Sequence, residues 1–282
     1  MMMRLVFALL ISLPLTAVHA LDFNQLKSAS GTFKKAFVPT SEAEEGEIGR
    51  ESAAVLLGAA PLLQDKKVQA YVNRVGMWLA LQSDRPELSW RFAVLDDADI
   101  NAFAAPGGYI FITKGLLARV QNEAELAGVL AHEIAHVVAN HHLVAIRKEA
   151  KLKLAGMAMQ VALEDRGTDT SQLEALAGGA KLVYARGLDR KDEHHADRLG
   201  VVLAARAGYD PYGLVAVLQT LERMNPQSGE LGLLMKTHPA PSDRIAQLDR
   251  LMARQLDGLT ESALGAVRFR RELAHLSSPE QP

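Results

Sequence analysis

Residues 132–142 read HEIAHVVANHH, four histidines and one glutamate in a run whose neighbours Leu126, Val129, Leu130, Ile134, Val137 and Val138 fall near helical spacing. At about 100° per residue, His132 and His136 lie on one face, one turn apart. Two imidazoles so placed can point at one ion, and Glu133, next to the first, can reach a water held there. A three-position pattern also arises by chance, but its setting inside an apolar-patterned helix counts against that.

A tetrahedral zinc needs a third protein ligand. His142 has the spacing of the third histidine in the H-E-x-x-H-x-x-G-x-x-H pattern, which relies on a glycine where the chain leaves the helix. Here that position is Ala139, a strong helix former. One helix is therefore expected from Asn122 towards Ala150. On it His142 lies about 120° from His136 and about 9 Å further along, and His141 about 140° away. Both are expected at the surface or behind the ligands. The other source is the stretch 192–197, DEHHAD, where Glu193 and Asp197 share a helical face. Glu193 would complete a two-histidine, one-glutamate set, and Asp197 would hydrogen-bond the far nitrogen of a ligand histidine. A solvated charged face is the competing reading, since Arg190, Lys191 and Arg198 lie nearby.

Composition narrows the classes. The chain has 282 residues, 49% hydrophobic and 23% charged, as expected for a globular protein with a substantial core. A net charge of −2 and 5% aromatics give no footprint for nucleic acid. The absence of cysteine excludes disulfides, thiolate metal sites and lipidation on cysteine, and disfavours a deformylase-like hydrolase with a cysteine ligand. Residues 1–20 combine Arg4, an apolar run from Leu5 to Val18 and small residues at Val18 and Ala20, which reads as a secretory signal peptide. Losing them removes one arginine and no acid, so −2 becomes −3. The mature protein is expected to be exported, periplasmic, without a spanning segment and at most peripheral to a membrane.

Residues 21–40 form a polar N-terminal segment, 41–276 the main domain and 277–282 a disordered tail. Ser41 can cap a helix with Glu42, Glu44 and Glu45 in its first turn. A second helix spans Val68 to Leu81. Trp90–Val94 alternates like a strand, and 101–113 reads as two strands around Pro106-Gly107-Gly108. After a polar break at 167–171, helices are expected over 172–186, 190–207 and 211–224.

HEIAH, DEHHADRLG (192–200), THPAPSDR (237–244) and the block NAFAAPGGYIFITKGLL (101–117) together resemble the gluzincin metallopeptidases of family forty-eight, the HtpX, BepA and CAAX-prenyl-endopeptidase group. The resemblance runs from about Ser41 to Arg250. It implies an α+β, mainly helical zincin-like domain with a small antiparallel sheet beside the active-site helix, and one Zn²⁺ per chain. His132, His136 and Glu193 match the ligands, Glu133 the general base and Asp197 the carboxylate behind them. His238 matches a histidine that in some members approaches the metal and closes the site; it would assist catalysis or gate it. Arg244 matches an arginine of structural or substrate-contact role. Spanning helices and long C-terminal repeats of other members are not found, so a stand-alone domain is expected. The expected reaction is hydrolysis of peptide bonds in unfolded or misassembled envelope proteins, with outer-membrane assembly proteins as candidate partners. Tyr109, Ile110 and Phe111 would form either an edge strand pairing with extended substrate or a buried core strand. The competing class is a chaperone-like binding protein whose metal site is kept latent by His238.

Overall fold

A computed structural model of the protein describes residues 41–164, 172–224, 229–252 and 265–274. The expected signal peptide, the segment 21–40, the break at 167–171 and the tail 277–282 lie outside the described residues. Eleven α-helices and three strands are described: α1 Glu42–Ala59, α2 Lys66–Ala80, β1 Arg91–Leu95, β2 Ala102–Ala105, β3 Tyr109–Thr113, α3 Lys114–Leu117, α4 Glu123–Val138, α5 His141–Glu164, α6 Gln172–Arg186, α7 Arg190–Arg206, α8 Gly213–Glu222, α9 Gly232–Thr237, α10 Pro241–Met252 and α11 Ala266–Leu273. No described helix is long and apolar enough to cross a membrane.

The helix starts follow local chemistry. Ser41 accepts from the Glu44 amide, Asp65 from Lys67 and Val68, and Asn122 from Glu125, each satisfying amides that a helix leaves open. The three helices expected between 172 and 224 form within a few residues of their predicted ends.

The domain is mainly helical, as expected, and its sheet is mixed rather than wholly antiparallel. Its order is β1-β3-β2, with β2 antiparallel to β3 and β1 parallel to it. This settles the two readings of Tyr109, Ile110 and Phe111. They form the central strand, hydrogen-bonded on both sides, so they offer no edge to a substrate. The near-continuous apolar run YIFIT is the reason. Ile110 and Ile112 pack towards α2 and α4, while Phe111 packs with residues of α1, α5 and α6. A strand buried on both faces needs apolar side chains on both. Of the two edge strands, β1 is bonded on its outer side by Leu63, Gln69 and Asn73, which leaves β2 as the more open edge.

α4 runs through the middle of the molecule. Every residue from Glu123 to Val137 is buried, against α2, α7, α8 and β2. It stops sooner than expected. Ala139 caps it, Asn140 takes φ 58°, and α5 begins at His141. The left-handed residue reverses what a continuous helix would do to both following histidines. Asparagine tolerates this conformation better than other non-glycine residues.

Candidate metal centre

α7 approaches α4 so closely that a Cβ on Gly200 would lie 2.9 Å from the His132 backbone nitrogen. That contact brings Glu193 and Asp197, seven and three residues earlier on α7, over the two histidines of α4. The His132 and His136 Nε2 atoms face each other at 3.1 Å. Glu193 Oε1 is 3.5 Å from His136 Nε2, and its Oε2 is 3.7 Å from His132 Nε2. All three side chains are buried, and one ligand atom from each lies within 4.8 Å of the others.

These distances test whether a metal fits. Tetrahedral zinc with bonds of about 2.0–2.2 Å separates its ligands by roughly 3.3–3.6 Å, and the separations of 3.1, 3.5 and 3.7 Å bracket that range. Glu193 Oε1 is buried and lacks a hydrogen-bond partner. Such an atom is costly in a protein interior unless a cation or donor meets it. The donor set of two imidazoles and one carboxylate suits zinc.

Behind the centre, Asp197 Oδ1 lies 3.0 Å from His132 Nδ1 and 2.5 Å from Arg244 Nη2. Arg244 also donates through Nε to Asp197 Oδ2 at 3.0 Å. Burial opposes the charged form of Asp197, but the guanidinium and His132 outweigh it and hold the carboxyl well below its ordinary range. Arg244 is itself buried, which leaves it no surface for substrate; it is the counter-ion of Asp197.

His238 ends α9 in extended conformation, and its Nδ1 sits 2.6 Å from Glu193 Oε2. Gly187 permits this approach: it has φ 80°, and a Cβ there would meet the Thr237 carbonyl oxygen at 1.9 Å. Burial works against charge on both partners. Their mutual attraction wins, lowering Glu193 to about 2 and raising His238. Glu133 faces the same small cavity, about 20 Å³ in volume, with Phe103, His142, Tyr184, Glu193 and His238 among its lining residues. Burial pushes the Glu133 carboxyl up, the nearby His132 and His238 partly offsetting it. A carboxyl so raised is suited to taking and returning a proton.

Six of the predicted site residues therefore converge: His132, Glu133, His136, Glu193, Asp197 and His238. Tyr109, Ile110 and Phe111 do not border the cavity; from the sheet it is Ala102 and Phe103 of β2 that do. His142 lies closer than a continuous helix would put it: it lines the cavity, and its ring centroid is 5.2 Å from that of His136. Its ring stacks on Tyr184, with centroids 5.4 Å apart and planes at 24°. His141 is not at the surface: it is buried, and its Nδ1 lies 3.0 Å from His136 Nδ1. His195, which carries no role in the sequence reading, reaches His141 at 3.1 Å.

Two further residues escaped the sequence reading. Tyr184 donates from its hydroxyl to the Ala104 carbonyl, on the open edge of β2. Nothing local marks that role. Asn140 could have been found, because asparagine just after a periodic apolar run is a stop signal.

Comparison with known proteins gives a consistent picture. The model of peptidase family M48 matches residues 66–252. The β-barrel assembly-enhancing protease of Escherichia coli (strain K12) is 30% identical over 210 residues, which cover 72% of this chain and 42% of that protein. The mitochondrial metalloendopeptidase OMA1 of Schizosaccharomyces pombe is 31% identical over 179 residues, 64% of this chain and 51% of its own. OMA1 of Arabidopsis thaliana is 30% identical over 184 residues, 65% and 36% respectively. The matched stretch thus spans about half or less of each of these relatives.

Proposed function

The chain belongs to peptidase family M48, and from that premise we propose that it is a zinc-dependent endopeptidase acting on unfolded or misassembled polypeptides. The carrying observation is the buried convergence of His132, His136 and Glu193, with an orphaned carboxylate oxygen at its centre. These three residues would hold one Zn²⁺, which when bound lowers the pKa of a coordinated water to about 7 and polarises a carbonyl.

The chain's own groups supply the rest. Glu133 takes a proton from the attacking water and returns it to the leaving amine. Asp197 fixes His132 in the tautomer that presents Nε2. His238, whose Nδ1 lies 2.6 Å from Glu193 Oε2, can donate to a developing oxyanion once it leaves that carboxylate. β2 is the edge along which an extended substrate would pair through its backbone. Such pairing reads main chain more than sequence, which favours unfolded segments over folded ones.

The names of two relatives point in the same direction: one is a β-barrel assembly-enhancing protease, the other a mitochondrial metalloendopeptidase. We infer an exported, periplasmic protein in envelope quality control, with outer-membrane assembly proteins as candidate partners. A second reading is favoured by a specific observation. Tyr184 occupies the Ala104 carbonyl of β2, His238 occupies Glu193, and the cavity between them is only about 20 Å³. A latent, His238-gated binding protein has the same geometry.

Metal analysis combined with casein cleavage separates the two. The wild type is expected to carry one zinc and cleave; Glu133→Gln keeps the metal and loses cleavage by a factor of about 10² or more. If Glu133→Gln retained every biological activity of the wild type, hydrolysis would not be the main function.

A further inference from the structure

We propose that His141, itself held by His195, is the positioning residue for His136, matching what Asp197 does for His132. This inference rests on the metallopeptidase reading above. Each candidate ligand histidine turns Nε2 to the centre and leaves Nδ1 behind. His132 Nδ1 meets Asp197; His136 Nδ1 meets His141 Nδ1 at 3.0 Å, and His141 Nε2 meets His195 Nδ1 at 3.1 Å.

Two proton arrangements satisfy the row, running in opposite directions, and only one also leaves His136 Nε2 free of a proton for a metal. In that one, His136 donates its Nδ1–H to His141 Nδ1, and His141 donates its Nε2–H to His195 Nδ1. Every ring is then neutral, and His136 presents a bare Nε2 to the centre, the form a ligand must have. The backbone builds this on purpose-suited geometry: Asn140 at φ 58° swings His141 back towards the end of α4. α7 then closes the row, since His195 lies between Glu193 and Asp197 on that helix. A single turn of α7 thus supplies the third ligand and a support reaching each of the other two.

The supports differ chemically. Asp197 is an anion with Arg244 behind it, whereas His141 is an uncharged acceptor and strengthens its partner less. His136 becomes the less firmly held ligand, and its hold depends on the row remaining intact. A side chain that merely filled space between α5 and the cavity of about 370 Å³ bordered by His141, Val144 and Asp192 would not have this property.

The test is zinc affinity by chelator competition on full-length wild type, His141→Leu, His141→Gln and His195→Leu, with urea midpoints of the metal-free forms. Cobalt-substituted samples add visible spectra that read ligand geometry without activity. His141→Leu is expected to lose 10- to 100-fold in zinc affinity. His141→Gln, whose amide oxygen can accept the same proton, recovers most of it, and His195→Leu gives a smaller loss. Cobalt bands shift in both leucine variants while metal-free stability changes little. Unchanged affinity and bands in His141→Leu would overturn the proposal. So would losses of affinity and metal-free stability that run in parallel without rescue by glutamine. Should His141→Leu fail to fold, His195→Leu with wild-type affinity and bands overturns it equally. A wild type that takes up no zinc would overturn the metallopeptidase reading and this inference together.

Discussion

Arg244 shows how much a single residue's meaning depends on what surrounds it. In sequence it is one arginine among 31 basic residues, three positions past a proline. In the fold it is buried and spends its guanidinium on Asp197, which in turn holds His132. Removing one member of a buried ion pair leaves the other charge uncompensated, at a cost of about 3–5 kcal/mol. Arg244→Met should therefore lower the urea unfolding free energy of the metal-free protein by about that amount. A substrate-contact arginine would instead raise KM and leave stability alone. The two candidate ligand histidines were legible in the sequence because their spacing is itself geometry: i and i+4 on a helix face one way wherever the helix sits. Arg244's pairing was not, since 47 residues separate it from Asp197 and nothing local links them.

At the scale of elements, the corner between α4 and α5 does most to shape the site. A continuous helix would have carried His141 away from His136; a left-handed residue brings it back. Asn140 also accepts from Arg85 at 3.2 Å, and Arg85 is paired with the buried Glu45 of α1 at 2.8 Å, so the corner is pinned from outside. Asn140→Ala should cost about 1–2 kcal/mol, from the left-handed backbone and the lost hydrogen bond. Asn140→Gly should cost less, because glycine adopts that conformation freely. Urea midpoints of the two variants check this, and equal losses would show that the backbone is not the issue. The expectation that Ala139 carries the helix onward was wrong: Ala139 is its C-cap, and the asparagine beside it decides where the helix ends.

For the whole molecule, helices far apart in the chain meet on α4. Glu123, in its first turn and buried, accepts from Tyr71 of α2 at 2.7 Å, from Tyr209 at 2.9 Å and from Arg268 of α11. Phe269 packs edge-on against Tyr71, so α11 closes over α2 and α4. Burial pushes the Glu123 carboxyl up, but Arg268 and the two tyrosines outweigh it and hold it below its ordinary value. A depressed carboxylate stabilises the fold above its unfolded value of about 4.3, and loses that contribution as pH falls through the folded one. Arg268→Ala should cost about 1–2 kcal/mol at pH 7, discounted because the arginine is half exposed. The difference from wild type should shrink below pH 4, as measured by urea unfolding at each pH. What the sequence determined by itself were the local periodic matters: the caps, most of the helices, and the one helical face that carries His132 and His136. Tertiary structure alone decided that β3 is central and β2 the more open edge, that Tyr184 covers that edge, and that His141 stands behind His136. Those choices depend on which surfaces several helices bury together, and no spacing within one element encodes that.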